Sequence, residues 1–290
     1  MSRELRRNSV ANKYMPVVAQ HQYQARRAYC KPHNRLEHAR LLEHVKHRLL
    51  ECQWYPEEIA GWLRAEYGRC VISTTTIYRA IYSGWLNAPK ASTASVVKKL
   101  RHHGKRRKKR SIEEKRGKIQ ISHDITERPA GAENRSKIGH READTVVDKQ
   151  GKACLVTLVD RKSRYLMCGK ADKKNAQAVS RAMVDLLLGA KVLSVTPDKS
   201  KEFARYADAT EYLKMACHSI FRNLTSRGKG DSNENTNGLL REYFPKGKDI
   251  TEIPDDYIQR KVAMMNLRPR KCLNYRTPYE VHFDEVLHLA

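Results

Sequence analysis

Acidic residues are scarce in this chain. Its 290 residues hold 32 Asp and Glu against 57 Lys and Arg, a formal charge of +25. Such an excess excludes an ordinary enzyme acting on small molecules. It points to a polyanionic partner, because each phosphate neutralised releases condensed counterions. Long apolar runs are also missing. None approaches the ~18 residues of a membrane span, and no apolar stretch follows the basic start as in a secretory leader. The expectation is a soluble, cytoplasmic protein without a membrane partner. Cysteine is sparse and badly spaced for cross-linking. The seven residues Cys30, Cys52, Cys70, Cys154, Cys168, Cys217 and Cys272 are odd in number and contain no C-x-x-C pair. This argues against a disulfide framework or a zinc ribbon and fits a reducing compartment. The histidines are scattered, and the adjacent pairs His102-His103 and Cys217-His218 do not match structural zinc spacing.

What is present divides the chain into three regions: a helical region over 1–90, a basic linker over 91–130 and a mixed α/β domain over 131–290. From Leu36 to Leu50 apolar residues recur at Leu36, Ala39, Leu42, Val45 and Leu49, near helical period. In Trp54-Tyr55-Pro56-Glu57-Glu58, Pro56 takes a first helical position and the acids complement the helix dipole. That helix runs to about Tyr67 and stops at Gly68. Ser73 caps a second helix, Thr74 to Ser83, whose Ile77 and Ile81 form an apolar stripe while Thr74, Thr75 and Arg79 face outward. The pair reads either as a helix-turn-helix within 54–83, its second helix entering the major groove, or as two helices of an ordinary core. The net charge favours DNA.

Lys98 to Lys118 is a basic run with twelve Lys or Arg and two Glu. Lys105, Arg106, Arg107, Lys108, Lys109 and Arg110 form its densest part. Such a block is a solvated linker, a phosphate-tracking arm, or both. Beyond Gly139, three strands are predicted at Glu142–Val147, Ala153–Asp160 and Arg164–Lys170, then a helix over Asn175–Gly189 and a fourth strand at Val192–Thr196. Helices follow at Glu202–Leu213 and Asn235–Tyr243.

Three carboxylates occupy informative places. Asp144 lies in the first strand, where a carboxylate is costly unless paired or metal-bound. Asp198 directly follows the fourth strand, at the carboxyl end where open α/β sheets place ligands. Glu234 opens a later helix. Taken singly, each is an unremarkable turn, cap or surface acid.

Together with their surroundings they resemble the DDE transposases of bacterial insertion sequences, the IS-thirty family. The resemblance spans nearly the whole chain. It rests on Ser2-Arg3-Glu4-Leu5-Arg6-Arg7-Asn8, Trp54 to Ala60, Thr76-Ile77-Tyr78, Glu142 to Val146, Asp198 with Glu202-Phe203, the run Asn233 to Gly247, and Arg276-Thr277-Pro278-Tyr279-Glu280. It implies an RNase H-like fold behind a helix-turn-helix region, and it carries catalytic and metal-binding roles onto Asp144, Asp198 and Glu234. The implied function is binding of insertion-sequence ends with Mg²⁺-dependent strand cleavage and strand transfer, Mn²⁺ substituting. Double-stranded DNA is the implied partner, and joining two ends calls for a dimer or larger assembly. Two Mg²⁺ ions ~3.5–4 Å apart would activate the nucleophile and stabilise the leaving oxygen.

The match has departures. Arg141 stands where the family usually has Trp, Lys199-Ser200 replace an Asn-Gly pair, and Arg222 to Asp231 replace an aromatic-rich stretch. Ser2 to Asn8 reads as the tail of a first recognition helix and, as a short lone helix, is expected to be disordered. These departures motivate an alternative, a catalytically impaired DNA-binding remnant acting as a repressor at element ends. A retroviral-type integrase or nuclease of the same fold is argued against by the Asn233–Gly247 run. Glu142 shares the strand face of Asp144 and is either a supporting acid or a substitute ligand.

Overall fold

The computed structural model describes residues 2–10, 13–30, 34–87, 96–100, 129–147, 152–197, 203, 218–219 and 231–287. Two compact units divide the chain at His47 and Arg48.

The first unit opens with α1 (Ser2–Asn8), a two-residue ribbon of β1 (Ser9–Val10) and β2 (Lys13–Tyr14), and α2 (Pro16–Cys30). The expectation that Ser2–Asn8 is a lone, disordered helix is corrected here. Asn8 is 1% exposed; its amide donates to Glu4 at 2.6 Å and its carbonyl accepts from Arg26 of α2. The short helix therefore has a partner in α2. α3 (Ala39–Leu50) follows a 3-10 turn over Arg35–Glu37, and it runs across the boundary between the units.

In the second unit, α4 (Pro56–Tyr67) and α5 (Thr74–Tyr82) take the predicted bounds to within a residue. Pro56 needs no amide partner at the first helical position. The Tyr55 N–H, an orphan donor of the helix start, is taken by Glu58 Oε2 at 2.8 Å. Gly68 ends the helix at φ +63°, a left-handed conformation that suits glycine. Ser73 Oγ accepts from the Thr76 N–H at 3.2 Å and caps α5. Ile59, Trp62 and Leu63 of α4 and Ile77, Ala80 and Ile81 of α5 are buried.

The rest of the unit is built on one five-stranded sheet. β3 (His140–Val147), β4 (Cys154–Asp160) and β5 (Leu166–Ala171) form an antiparallel meander, and β6 (Ser194–Pro197) and β7 (His218–Ser219) add parallel on the far side of β3. The order β5-β4-β3-β6-β7 puts β3 at the centre. A meander of three followed by two strands parallel to the first is the RNase H-like arrangement.

Helices cover both faces, so β4 reads as a near-continuous apolar run rather than an alternating one. On one face α7 (Ala176–Leu187) packs Val179, Met183 and Leu187 against Ala143, Val156, Leu158 and Val195. On the other, α8 (Asp231–Tyr243) and α9 (Asp255–Asn266) bring Leu239, Leu240, Ile258, Val262 and Met265 onto Val146, Leu155 and Val159. Each fully buried Leu, Ile or Val contributes about 1.5–3 kcal/mol relative to exposure.

Two short helices complete the domain, α6 (Ala130–Glu133) and α10 (Pro278–Phe283). The run Arg276 to Glu280 acquires a structural reason. Thr277 Oγ1 accepts from the Glu280 N–H at 3.1 Å and Glu280 Oε2 from the Thr277 N–H at 2.6 Å, a reciprocal cap with Pro278 at the first helical position. The outer edge of β5 is closed by α9. Asn266 donates to the Leu166 carbonyl at 2.9 Å and accepts from its N–H at 2.8 Å, while Gln259 donates to the Cys168 carbonyl at 2.8 Å.

Candidate active site

Strand alternation decides which side chains of β3 meet which helices. Ala143 belongs to the core under α7, and Val146 to the core under α8 and α9. Asp144 and Glu142, two and four residues before Val146, share its face.

Asp144 is half-buried and held by two donors. Its Oδ1 accepts from the Thr145 N–H and its Oδ2 from Asn237 Nδ2 of α8, each at 2.7 Å. Thr157 of β4 lies between them, its hydroxyl 3.1 Å from the Asp144 carbonyl and 3.3 Å from Asn237 Oδ1. Two strands and one helix thus converge on a single carboxylate. Asn237 and Thr157 were not singled out in the sequence. The signal for Asn237 was its place three residues after Glu234, which puts the two on neighbouring rows of one helix face.

Glu234 is exposed and lies in the first turn of α8. It does not open the helix as expected. The helix starts three residues earlier, at Asp231, because Asp, Ser and Asn suit a first turn as well as a cap. Asn233 beside it is buried.

Asp198, Lys199, Ser200 and nearly all of the predicted Glu202–Leu213 helix lie outside the described residues, as do Lys105 to Arg110 of the basic run. The last described rung between β3 and β6 pairs Ala143 with Pro197, the residues immediately before Asp144 and Asp198. Among the described residues no group of three His, Cys, Asp or Glu is placed to hold a metal ion.

Glu142 is buried in an ion pair with Arg161, whose Nε donates to the Ala132 carbonyl at 2.8 Å. That pairing gives the acid a structural partner away from Asp144. Arg141 is also buried. It donates to the Met167 sulfur at 2.9 Å and the Lys191 carbonyl at 3.3 Å; burial lowers its pKa while the charge of Asp160 opposes the shift. Its guanidinium points to the α7 side of the sheet, opposite Asp144.

On α5, Thr75 and Arg79 are exposed and Thr74 is half-buried. Tyr78 and Tyr82 stack beside them with ring centroids 6.2 Å apart. The three predicted residues therefore lie on the outer side of the second helix of the pair.

An RNase H-like domain with a tethered carboxylate on its central strand, preceded by two short packed helices in a strongly basic chain, defines a class of DNA-processing protein. Comparison with known proteins narrows the class. No protein-family model matches the chain. The transposase of insertion sequence element IS4351 from Bacteroides fragilis is 36% identical over 236 residues, 80% of this chain and 70% of that protein. The transposase InsI of element IS30A from Escherichia coli K12 is 32% identical over 295 residues, 97% of this chain and 74% of that protein. The catalytic core domain of BIV integrase, a solved structure, is 14% identical with a TM-score of 0.37, covering 50% of this chain and 93% of its own. The chain belongs to the IS30 family of insertion-sequence transposases, the family that its motifs resemble, and its sphere is DNA transposition and integration. Among the described residues no helix is long and apolar enough to cross a membrane.

Proposed function

We propose that this chain binds the ends of its insertion sequence and catalyses metal-dependent strand cleavage and strand transfer, with Asp144, Asp198 and Glu234 as the metal-binding carboxylates. The observation that carries the reading is the Asn237–Asp144 hydrogen bond of 2.7 Å. It ties the strand bearing one carboxylate to the helix bearing another, within one helical turn of Glu234. The rung before Asp144 and Asp198 supports the same grouping from the sheet side.

The donor set fits a hard cation. A carboxylate has about four lone-pair positions with which to accept hydrogen bonds or hold a cation. Carboxylate oxygens, with waters retained, are what Mg²⁺ prefers. When bound, Mg²⁺ or Mn²⁺ would lower the pKa of an attacking water and stabilise charge on the leaving oxygen. The chain's own part is geometric. Asn237 and the Thr145 amide fix the orientation of the Asp144 carboxylate, and Thr157 fixes Asn237. One site serves both steps, because only the nucleophile changes, from water to the freed 3′-hydroxyl. No covalent protein–DNA bond is required.

DNA recognition is assigned to α5, with Thr74, Thr75 and Arg79 toward the major groove, and phosphate tracking to the basic run including Lys105 to Arg110. Bringing two ends together calls for at least two copies of the chain.

The test uses a duplex recovered from a randomised DNA pool by binding to the full chain. Wild-type protein with Mg²⁺ or Mn²⁺ nicks it, whereas Glu234→Ala binds with unchanged affinity and leaves it intact. Normal nicking by Glu234→Ala removes Glu234 from the site. Binding without nicking by the wild type identifies the chain as the repressor-like remnant.

A further inference from the structure

The helix pair proposed to read DNA does not hang free on a linker. It is bonded to the C-terminal end of α8, the helix whose first turn carries Glu234. At the centre of the junction is Arg268, just beyond α9, with no exposed surface. Its Nε donates to Glu58 Oε2 of α4 at 2.6 Å, its Nη1 to Glu242 Oε2 of α8 at 3.3 Å, and its guanidinium lies 3.9 Å from the Tyr55 ring centre. Tyr55 closes the circuit by donating its hydroxyl to Glu242. Burial alone would lower the pKa of Arg268; Glu58, Tyr55 and Glu242 together more than reverse this and hold it charged. The Tyr55 phenol is pushed well above its ordinary value by burial, against the opposing charge of Arg268.

A second, uncharged contact supports the junction. Tyr275 and its neighbour Asn274 adopt φ of +65° and +55°, a left-handed backbone that an aromatic residue rarely takes. This conformation accompanies a Tyr275 ring seated directly on Gly61 of α4, where an added Cβ would stand 2.0 Å from a ring carbon. The loop is held by the Tyr275 N–H on the Arg270 carbonyl at 2.9 Å and the Arg270 N–H on the Arg276 carbonyl at 3.0 Å. At the rim, Lys271 pairs with Glu57 at 2.8 Å.

We propose that Arg268 and Tyr275 lock the α4–α5 pair onto α8, so that the spacing between the DNA-reading helix and the carboxylates, and with it the phosphodiester that is cut, is set inside the protein. Glu242 and Glu234 are eight residues apart on one helix, about 12 Å at 1.5 Å per residue, so α8 transmits the position of α4 to the site without a hinge. Arg268 acts as a positioning residue. It need not touch DNA. The inference rests on the function proposed above, and it predicts a loss of precision rather than a loss of binding.

Gly61→Ala tests it cleanly. Alanine strengthens α4 as a helix, so the helix itself is not weakened, yet its methyl displaces the Tyr275 ring and opens the junction. A triple variant, Arg268→Met with Glu58→Gln and Glu242→Gln, removes the charges together and avoids burying unpaired carboxylates. Two measurements are made on full-length protein. Bio-orthogonal spin labels at Ser83 and Lys246 report the distance between α5 and the end of α8. Nick mapping on the pool-selected duplex reports where the strand is cut. The wild type gives one narrow distance and one cut. Both variants give broadened distances and cuts spread over neighbouring phosphodiesters, at unchanged DNA affinity. An unchanged narrow distance in both variants overturns the lock. A broadened distance with a single cut overturns the positioning role. If wild-type protein binds without nicking, the proposed function fails and the lock is decided by the distance measurement alone.

Discussion

The two faces of the sheet are built by different rules. Under α7 the packing is apolar through Ala143, Val156, Leu158, Val179, Met183 and Val195. Under α8 and α9 an equally apolar centre formed by Val146, Leu155, Leu239 and Leu240 is bordered by polar groups: Asp144, Asn237 and Thr157 in one cluster, Glu142 with Arg161 in another. Polar atoms in such places cost stability unless each is bonded. The Thr145 N–H and the Asn237 amide engage both Asp144 oxygens. The lesson is a division of labour. The α7 face is apolar except for the buried Arg141, whereas the other face also carries the bonded polar clusters around Asp144 and Glu142.

That contrast is open to test, the largest effect first. Asp144→Asn should reduce strand cleavage by about 1,000-fold or more, on the order of 4 kcal/mol in the barrier, with little change in melting temperature. A cleavage time course beside a thermal melt checks it, and a large fall in melting temperature would make Asp144 a folding residue. Leu158→Ala on the α7 side should do the reverse, costing about 2–5 kcal/mol in denaturant stability while the folded fraction still cuts. Asn237→Ala should fall between the two. It should cost roughly 1–2 kcal/mol of stability, because the half-buried Asp144 can regain water, and it should slow cleavage through a misplaced carboxylate, up to about 100-fold for a shift near 1 Å. Equal cleavage by Asn237→Ala and wild type would deny it the orienting role.

The smallest effect lies outside the site. His282 of α10 stacks on Tyr165 at 4.4 Å and shares a 3.0 Å hydrogen bond with Ser163. Its pKa is lowered by burial, with Asp160 opposing and Arg141 reinforcing the shift. The unfolded chain therefore binds a proton more readily than the folded one. The resulting stability is complete above the ordinary pKa of 6.5 and declines as pH falls from there toward the lowered folded value. Melting curves at pH 8 and pH 5.5 should show a slightly smaller pH dependence for His282→Phe than for wild type. An unchanged dependence would mean that His282 does not contribute.

Much of this was legible in the residues themselves. Pro56, Gly68 and Ser73 each mark a helix end through their own backbone or side-chain chemistry, and α4 and α5 fall where they indicate. The meander from β3 to β5 follows from apolar runs between turn residues. What escaped is non-local. The β1–β2 ribbon has two residues per strand, too few for any alternation to register. Arg268 sits in Asn-Leu-Arg-Pro-Arg-Lys, which reads as an exposed basic loop, but its acidic partners lie 26 and 210 positions away. Glu142 was nearer to reach. β3 pairs it with Val159, so a hairpin drawn in register brings Arg161, two residues on, within range. Asn237 lay open to helix arithmetic from Glu234, yet nothing local says that its amide faces Asp144.

The treatment of the β5 edge bears on how copies of this protein can come together. A bare edge strand is a row of unspent donors and acceptors, ready to recruit a strand from another molecule. Here the Leu166 amide and carbonyl and the Cys168 carbonyl are already engaged by Asn266 and Gln259. Two side chains of one helix impersonate a neighbouring strand. Growth of the sheet into a second subunit is thereby discouraged at this margin, and so is runaway stacking of newly made chains.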